Sequence, residues 1–284
     1  MNHIIVIGGN GQLGQCLQDV VKTVPQPFNY IFLSQAELDL RMQSQVKAVF
    51  EKYKPVFCIN CAAYTAVDQA EEDVEAAHEI NEHGVRHLAE ICATYQTTLI
   101  HISTDFVFDG LTGVPLTETA LTHPINVYGL TKLKGEEAIP KALESFYIIR
   151  TSWLYSEKAN NFCKTMLKLG QIKDQLQVIY DQVGTPTYAM DLAKSIVSII
   201  NSNQKAYGVY HYSNEGVASW YDFAIAIFEF AEVDIDVVPV NSSAFQTKAK
   251  RPHYSVLDKT KIKATFNLTI PYWRESLNRC INRM

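Results

Sequence analysis

Residues 3–14 read HIIVIGGNGQLG, an apolar run that breaks into closely spaced glycines and then into an amphipathic stretch. The glycines fit G-x-G-x-x-G counted from Gly9 and G-x-x-G-x-x-G counted from Gly8. In either template they let the backbone turn tightly and approach a pyrophosphate, whose charge meets the N-terminus of the following helix. A glycine motif alone is weak, but between a strand and a helix it has the context such a site requires. The alternative is a purely structural strand-to-helix turn.

The same alternation continues along the first half of the chain. HIIVIG (3–8), NYIFLS (29–34), PVFCIN (55–60), TTLIHIS (97–103) and FYIIR (146–150) are short apolar runs, as expected of strands covered on both faces. QLGQCLQDVVKTV (12–24), MQSQVKAVFEKY (42–53), VEAAHEINEHGVRHLAEICATY (74–95) and VYGLTKLKGEEAIPKALE (127–144) have helical periodicity. Strand and helix in turn predict an α/β fold, a doubly wound parallel sheet of Rossmann type. Residues 1–150 form the expected dinucleotide-binding domain. LQVIYDQVGTPTYAMDLAKSIVSII (176–200) reads as a strand, a turn and a helix that return to the sheet and complete it, over about 176–203. The remainder, 151–175 and 204–284, reads as a smaller C-terminal α+β substrate-binding lobe.

The chain has 284 residues, 47% hydrophobic and 19% charged, with a formal charge of −5. That balance describes a globular protein and argues against broad nucleic-acid or anionic-membrane binding, so an anionic ligand needs a local site. MNHIIVIGGNGQLG enters its first strand without a basic leader or small-residue cleavage site, which predicts a cytoplasmic protein. Six scattered cysteines do not suggest a disulfide framework. Cys58 and Cys61, although spaced C-x-x-C, point to opposite faces if the segment is a strand. They read as small buried residues.

NVYGLTK (126–132) sets Tyr128 and Lys132 four positions apart, on one helical face. A tyrosine can give a proton to a nascent alkoxide, but its ordinary pKa is about 10, and a neighbouring cation lowers it. Alone, the pair also fits a surface aromatic with a lysine stem across it. Upstream, TTLIHIS ends in Ser103-Thr104-Asp105, which puts two hydroxyls at the carboxyl end of the fourth strand, where such sheets bind ligands. Asn81, in the long preceding helix, either orients water near the lysine or is solvated. These residues resemble the Asn, Ser/Thr, Tyr, Lys tetrad of short-chain dehydrogenases/reductases, with the hydroxyl role open between Ser103 and Thr104.

Further blocks narrow the likeness. NCAAYTAVDQAE (60–71), HISTDFVFDG (101–110), PINVYGLTKLKGE (124–136), RTSWLYSEKANNF (150–162), DQVGTPTYAMDLA (181–193) and KRPHYSVLD (250–258) together resemble the dTDP-4-dehydrorhamnose reductases, from the first strand to near the C-terminus. The resemblance implies reduction of the 4-keto group of dTDP-4-dehydro-L-rhamnose to dTDP-L-rhamnose. It implies Tyr128 as proton donor, Lys132 as the cation lowering its pKa and binding the nicotinamide ribose, Thr104 as carbonyl polariser, and Asn81 as the fourth member of the catalytic set. Gly8, Asn10, Gly11, Gln12 and Leu13 take the pyrophosphate end of the cofactor. Ser34, Asp39 and Leu40 take its adenosine end, and Ala62, Ala63, Tyr64, Thr65 and Ser103 its middle. Thr104, Asp105, Phe106, Tyr128 and Trp153 contact the sugar nucleotide. Arg251 is either its diphosphate ligand or a solvated loop charge, and Trp153 is either sugar platform or core.

The second strand ends in Leu33-Ser34-Gln35, without the carboxylate an NAD ribose usually meets and without a basic residue beside it. NADPH is therefore favoured, with NADH also accepted. Phe106 stands where the family usually has tyrosine. Gln15, and Met190 before Asp191, leave incomplete the carboxylate cluster that binds Mg²⁺ in some dimeric members, so no metal is expected, and the protein reads as a monomer or homodimer. Two other readings compete: another nucleotide-sugar ketoreductase or epimerase, and a non-catalytic regulatory subunit like the β subunit of methionine adenosyltransferase.

Overall fold

The computed structural model describes residues 2–23 and 27–284. β1 (His3–Ile7), β2 (Asn29–Leu33), β3 (Phe57–Asn60), β4 (Thr98–Thr104) and β5 (Phe146–Thr151) join the strand Gly208–His211 in one six-stranded sheet. The order is Gly208–His211, β5, β4, β3, β1, β2, and every pairing is parallel.

Successive side chains of β1 enter two different cores. Ile4 and Val6 meet Leu13, Leu17 and Val20 of α1 (Gln12–Thr23), together with Leu192, Ile196 and Ile200 of the Ala189–Asn201 helix. Ile5 and Ile7 share a second core with Val46 and Phe50 of α2 (Gln43–Tyr53), Leu88 and Ala89 of Gly84–Thr94, and Ile139 of Val127–Ala142. Helices thus cover both faces, which explains the unbroken apolar runs. Val24, the last residue of the helix expected at 12–24, lies outside the described residues. Cys58 belongs to the second core and Cys61 packs against the first, so the two thiols diverge as expected and remain free.

Two expectations are corrected. The strand near 176 does not return to the central sheet: Gln175–Ile179 pairs in parallel with Asp236–Val240 in a separate two-stranded sheet. Only Leu176 and Val178 of it are buried, the alternation of a strand with one wet face. The place beside β5 goes to Gly208–His211, a segment expected in the smaller lobe, with Tyr210 and His211 buried. The helix expected at 74–95 runs from Val74 to Thr94 without a break, but it is not α-helical throughout. A π-helical turn, Glu79–His83, lies within it between Val74–His78 and Gly84–Thr94. No described helix is long and apolar enough to cross a membrane.

β1 connects to β2 on one side and lies beside β3 on the other, so the strand order reverses between β1 and β3. The crevice at their carboxyl ends is where doubly wound sheets hold ligands.

Candidate active site

The glycine turn opens onto this crevice. Gly8 has φ +79°, and a Cβ on it would lie 2.9 Å from the Ala62 nitrogen, just beyond β3. A Cβ on Gly14 would come within 2.7 Å of Gly9 Cα, so α1 starts directly against the turn. Side-chain-free backbone and the amides of a helix start, at Asn10, Gln12 and Leu13, suit a pyrophosphate, while the Gly11 amide closes the turn by donating to the Gly8 carbonyl at 2.9 Å. The Gln12 side chain is engaged elsewhere: its Nε2 donates to the Leu154 carbonyl at 3.0 Å, and its Oε1 accepts from Asn161 Nδ2 at 2.8 Å.

At the end of β2, the Ser34 amide and hydroxyl both donate to Glu37 Oε2, at 2.8 and 2.7 Å. The carboxylate that the strand itself lacks is therefore delivered three residues later. Asp39 holds the Arg41 guanidinium in a two-oxygen pair, Nε to Oδ1 at 3.0 Å and a second nitrogen to Oδ2, which keeps the Asp39 carboxyl below the usual carboxylate range. Leu40 is buried, and Gly84 leaves room for it: a Cβ there would lie 2.9 Å from Leu40 Cβ.

Asn81 sits in the π-turn, fully buried and neither solvated nor bonded to Lys132. Its Oδ1 accepts from the Tyr64 amide at 2.9 Å, and its Nδ2 donates to the Tyr64 carbonyl and to Thr131 Oγ1, each at 3.1 Å. One amide thus ties the Ala62–Thr65 segment to the Tyr128 helix. Gly135 permits this approach, since a Cβ on it would strike the Asn81 carbonyl oxygen.

At the end of β4, Thr104 caps a 3-10 turn, Asp105–Val107: its hydroxyl accepts from the Phe106 amide and donates to Asp105 Oδ1, both at 3.1 Å. Asp105 is buried, and burial pushes its carboxyl up to about 6. The buried Ser103 Oγ and Asp105 Oδ2 have no protein partner.

The Val127–Ala142 helix begins at Asn126, whose Oδ1 accepts from the Gly129 amide at 2.7 Å while its Nδ2 donates to the Lys250 carbonyl at 2.7 Å. A Cβ on Gly129 would strike the Phe106 carbonyl, so this glycine lets Tyr128 lie beside β4. The Tyr128 and Phe106 rings meet edge to face, 5.7 Å between centroids. Burial pushes the Tyr128 hydroxyl up to about 12, and the Thr104 hydroxyl draws it part of the way back. Of the two candidate hydroxyls, Thr104 is therefore the one next to the tyrosine.

The expected lowering of Tyr128 by Lys132 is corrected here. Lys132 Nζ donates to the Ile102 carbonyl at 2.7 Å and lies 3.3 Å from His101 Nε2, so its charge is spent on β4. Burial depresses Lys132 to about 8. Helical spacing brought the two residues to one face; a buried ammonium then turned to the nearest acceptor.

Trp153 occupies a left-handed backbone conformation, φ +46°, and stacks on Trp220 with centroids 3.6 Å apart. It is half-buried, with the aromatic stack behind it. The Arg251 guanidinium is partly exposed and pairs with Asp68, at 2.6 Å to Oδ2 and 3.2 Å to Oδ1. Asp191 is committed to Arg279, Ser276 and Asn214, and among the described residues no group of His, Cys, Asp and Glu is arranged to hold a metal.

Sequence reading missed Asn60, His101, Asn126, Gly129 and Gly135. The signal for the first two was present, as polar residues inside otherwise apolar strands; the glycines had none, because their role is set by what crosses them. The side-chain-free Gly8 turn, the open helix amides and the unpartnered Ser103 hydroxyl fit a dinucleotide.

A model of the RmlD substrate binding domain family matches residues 1–284. The dTDP-4-dehydrorhamnose reductase of Aggregatibacter actinomycetemcomitans is 38% identical, over 98% of this chain and 97% of the relative. A crystal structure of such a reductase from Clostridium acetobutylicum superposes with a TM-score of 0.95 at 39% identity, covering 99% of both chains. The Bacillus anthracis reductase, solved in complex with NADP, gives 0.96 at 38% identity and covers 100% of both chains.

Proposed function

Because the chain belongs to the dTDP-4-dehydrorhamnose reductase family, we propose that it uses NAD(P)H to reduce the 4-keto group of dTDP-4-dehydro-L-rhamnose, giving dTDP-L-rhamnose. The observation that carries this reading is the Thr104 hydroxyl beside Tyr128 at the carboxyl end of β4, with Lys132 on the Ile102 carbonyl of the same strand, and with the glycine turn packed against the end of β3.

The bound nicotinamide supplies the hydride to C4. Gly8 and Asn10 to Leu13 hold its pyrophosphate, Ser34, Asp39 and Leu40 its adenosine end, and Ala62 to Thr65 with Ser103 its middle. NADPH is the cofactor, as in the Bacillus anthracis relative, and NADH is also accepted because Glu37 brings a carboxylate to Ser34.

Tyr128 donates the proton to the C4 oxygen. Raised to about 12, it is fully protonated at neutral pH, as a donor must be. General acid catalysis of this kind contributes roughly 10²–10⁴-fold. Thr104 gives a second hydrogen bond to the same oxygen by turning its one hydroxyl proton away from Asp105 Oδ1, and Lys132 binds the nicotinamide ribose. Asn81 holds the cofactor segment against this helix. Asp105 has a free acceptor oxygen for a sugar hydroxyl, and Phe106 and Trp153 offer aromatic walls. Arg251 meets the diphosphate by sharing or exchanging Asp68. A cytoplasmic setting and a monomer or homodimer complete the reading.

The test is purified protein with the dTDP-4-keto sugar and either reduced cofactor. Expected are loss of NAD(P)H absorbance and dTDP-L-rhamnose by NMR. Cofactor binding without turnover would refute the reading, and the opposite configuration at C4 would indicate a different nucleotide-sugar reductase.

A further inference from the structure

Two polar side chains inside the sheet have no role in the site as read. Asn60 closes β3 and His101 lies on β4; they are register partners, and both are fully buried. Their hydrogen bonds run in one direction. The Ala62 amide donates to Asn60 Oδ1 at 3.1 Å, which orients the side-chain amide so that Nδ2 faces His101 Nδ1, also at 3.1 Å. Nδ2 can only donate, so Nδ1 must be the bare nitrogen, and a neutral imidazole then carries its proton on Nε2. Burial and Lys132 together keep His101 neutral. Nε2 in turn lies 3.3 Å from Lys132 Nζ. An ammonium at that point confronts an N–H head-on, whereas an amine has a lone pair to accept it.

We propose that Asn60 and His101 are positioning residues that hold the imidazole in its Nε2–H tautomer, so that the contact with Lys132 favours the amine over the ammonium. The chain starts at Ala62, in the segment assigned to the cofactor, and ends on the lysine assigned to its ribose, so it links the two halves of the site. The other groups facing Lys132 are few. Cys61 approaches from beyond β3, and Glu136 stands one turn along its own helix, already paired with the buried Arg150 of β5. From the π-turn only the neutral Asn81 amide reaches this helix, on Thr131. Burial depresses Lys132 against these, and the imidazole N–H 3.3 Å from Nζ acts in the same direction.

The tautomer part stands by itself; the kinetic part rests on the reductase reading, and two measurements separate them. In ¹⁵N-histidine-labelled wild-type protein, His101 should show a protonated Nε2 and a bare Nδ1 in long-range ¹H–¹⁵N correlation. Asn60→Leu removes the donor to Nδ1 without placing a charge beside the imidazole. Nδ1 should then be protonated, leaving the Nε2 lone pair to an ammonium. The limb of the pH profile of NADPH oxidation that reports Lys132 should move to higher pH, by about tenfold in proton concentration. A wild-type Nδ1–H tautomer overturns the proposal even if the variant fails to fold. So does a switched tautomer with the limb unmoved. Absence of turnover with the expected wild-type tautomer counts against the reductase reading alone.

Discussion

Replacing Asn81 by alanine removes three hydrogen bonds and probes whether one buried amide joins cofactor segment to catalytic helix. Thr131 keeps a partner, because its hydroxyl also donates to the Tyr128 carbonyl at 3.0 Å. The Tyr64 amide and carbonyl lose theirs. A buried backbone group left unsatisfied costs about 1–3 kcal/mol, so two cost about 2–6 kcal/mol. Tyr64 is half-buried, so water reaches part of this segment, and the lower part of that range, about 2–3 kcal/mol, is expected. Against a total stability of about 5–15 kcal/mol the protein still folds. If about 1.4 kcal/mol of the loss falls on ordering Ala62 to Thr65 around the cofactor, the KM for NADPH rises about tenfold. Urea unfolding measures the first quantity and steady-state kinetics the second. A variant within about 0.5 kcal/mol of wild type with unchanged KM would refute the tie between the π-turn and the cofactor segment.

Tyr128→Phe should lower kcat by about 10²–10⁴-fold with unchanged thermal unfolding, and near-normal turnover would remove the tyrosine from its role. Asp105, raised from 3.8 to about 6 by burial, binds its proton more tightly folded than unfolded. Its contribution is therefore most favourable below about pH 4 and is lost as pH rises through about 6, some 3 kcal/mol at most. Asp105→Asn should become more stable relative to wild type across that window; a difference flat with pH contradicts this. Glu37→Gln keeps an acceptor for both Ser34 groups and removes a charge from the end of β2. The KM for NADPH should fall about threefold to tenfold while that for NADH rises, and the NADPH gain should shrink in high salt. An equal effect on both cofactors would mean that Glu37 does not face the 2′-phosphate.

The five strands of the first half were legible as plain apolar runs, because four of them are buried on both faces and the edge strand Asn29–Leu33 still packs partly against both cores. The strand Gln175–Ile179 was legible as a strand but not in its partner: pairing with Asp236–Val240 depends on a segment some sixty residues away. Glu79–His83 keeps a helical pattern in sequence, and its extra residue per turn is visible only where Gly84 meets Leu40 and Asn81 meets Tyr64. In the site, Tyr128, Lys132 and Thr104 were legible from residue type and spacing. Their electrostatics were not. Spacing made Lys132 the partner of Tyr128, whereas burial set it on the Ile102 carbonyl and His101. Likewise Arg251 read as a free cation until Asp68 met it across the fold.

The sequence by itself determined the order of strands and helices, the glycine turn that meets a dinucleotide, and the residue types able to move a proton, because hydrophobic periodicity and side-chain chemistry are local properties. Only the tertiary structure decided which polar groups satisfy one another. Asn81 reaches residues 17 and 50 positions away, and Lys132 reaches one 31 positions away. A buried donor or charge takes whichever acceptor the packed core brings within 3 Å or so, and that choice sets the proton affinities on which the chemistry depends.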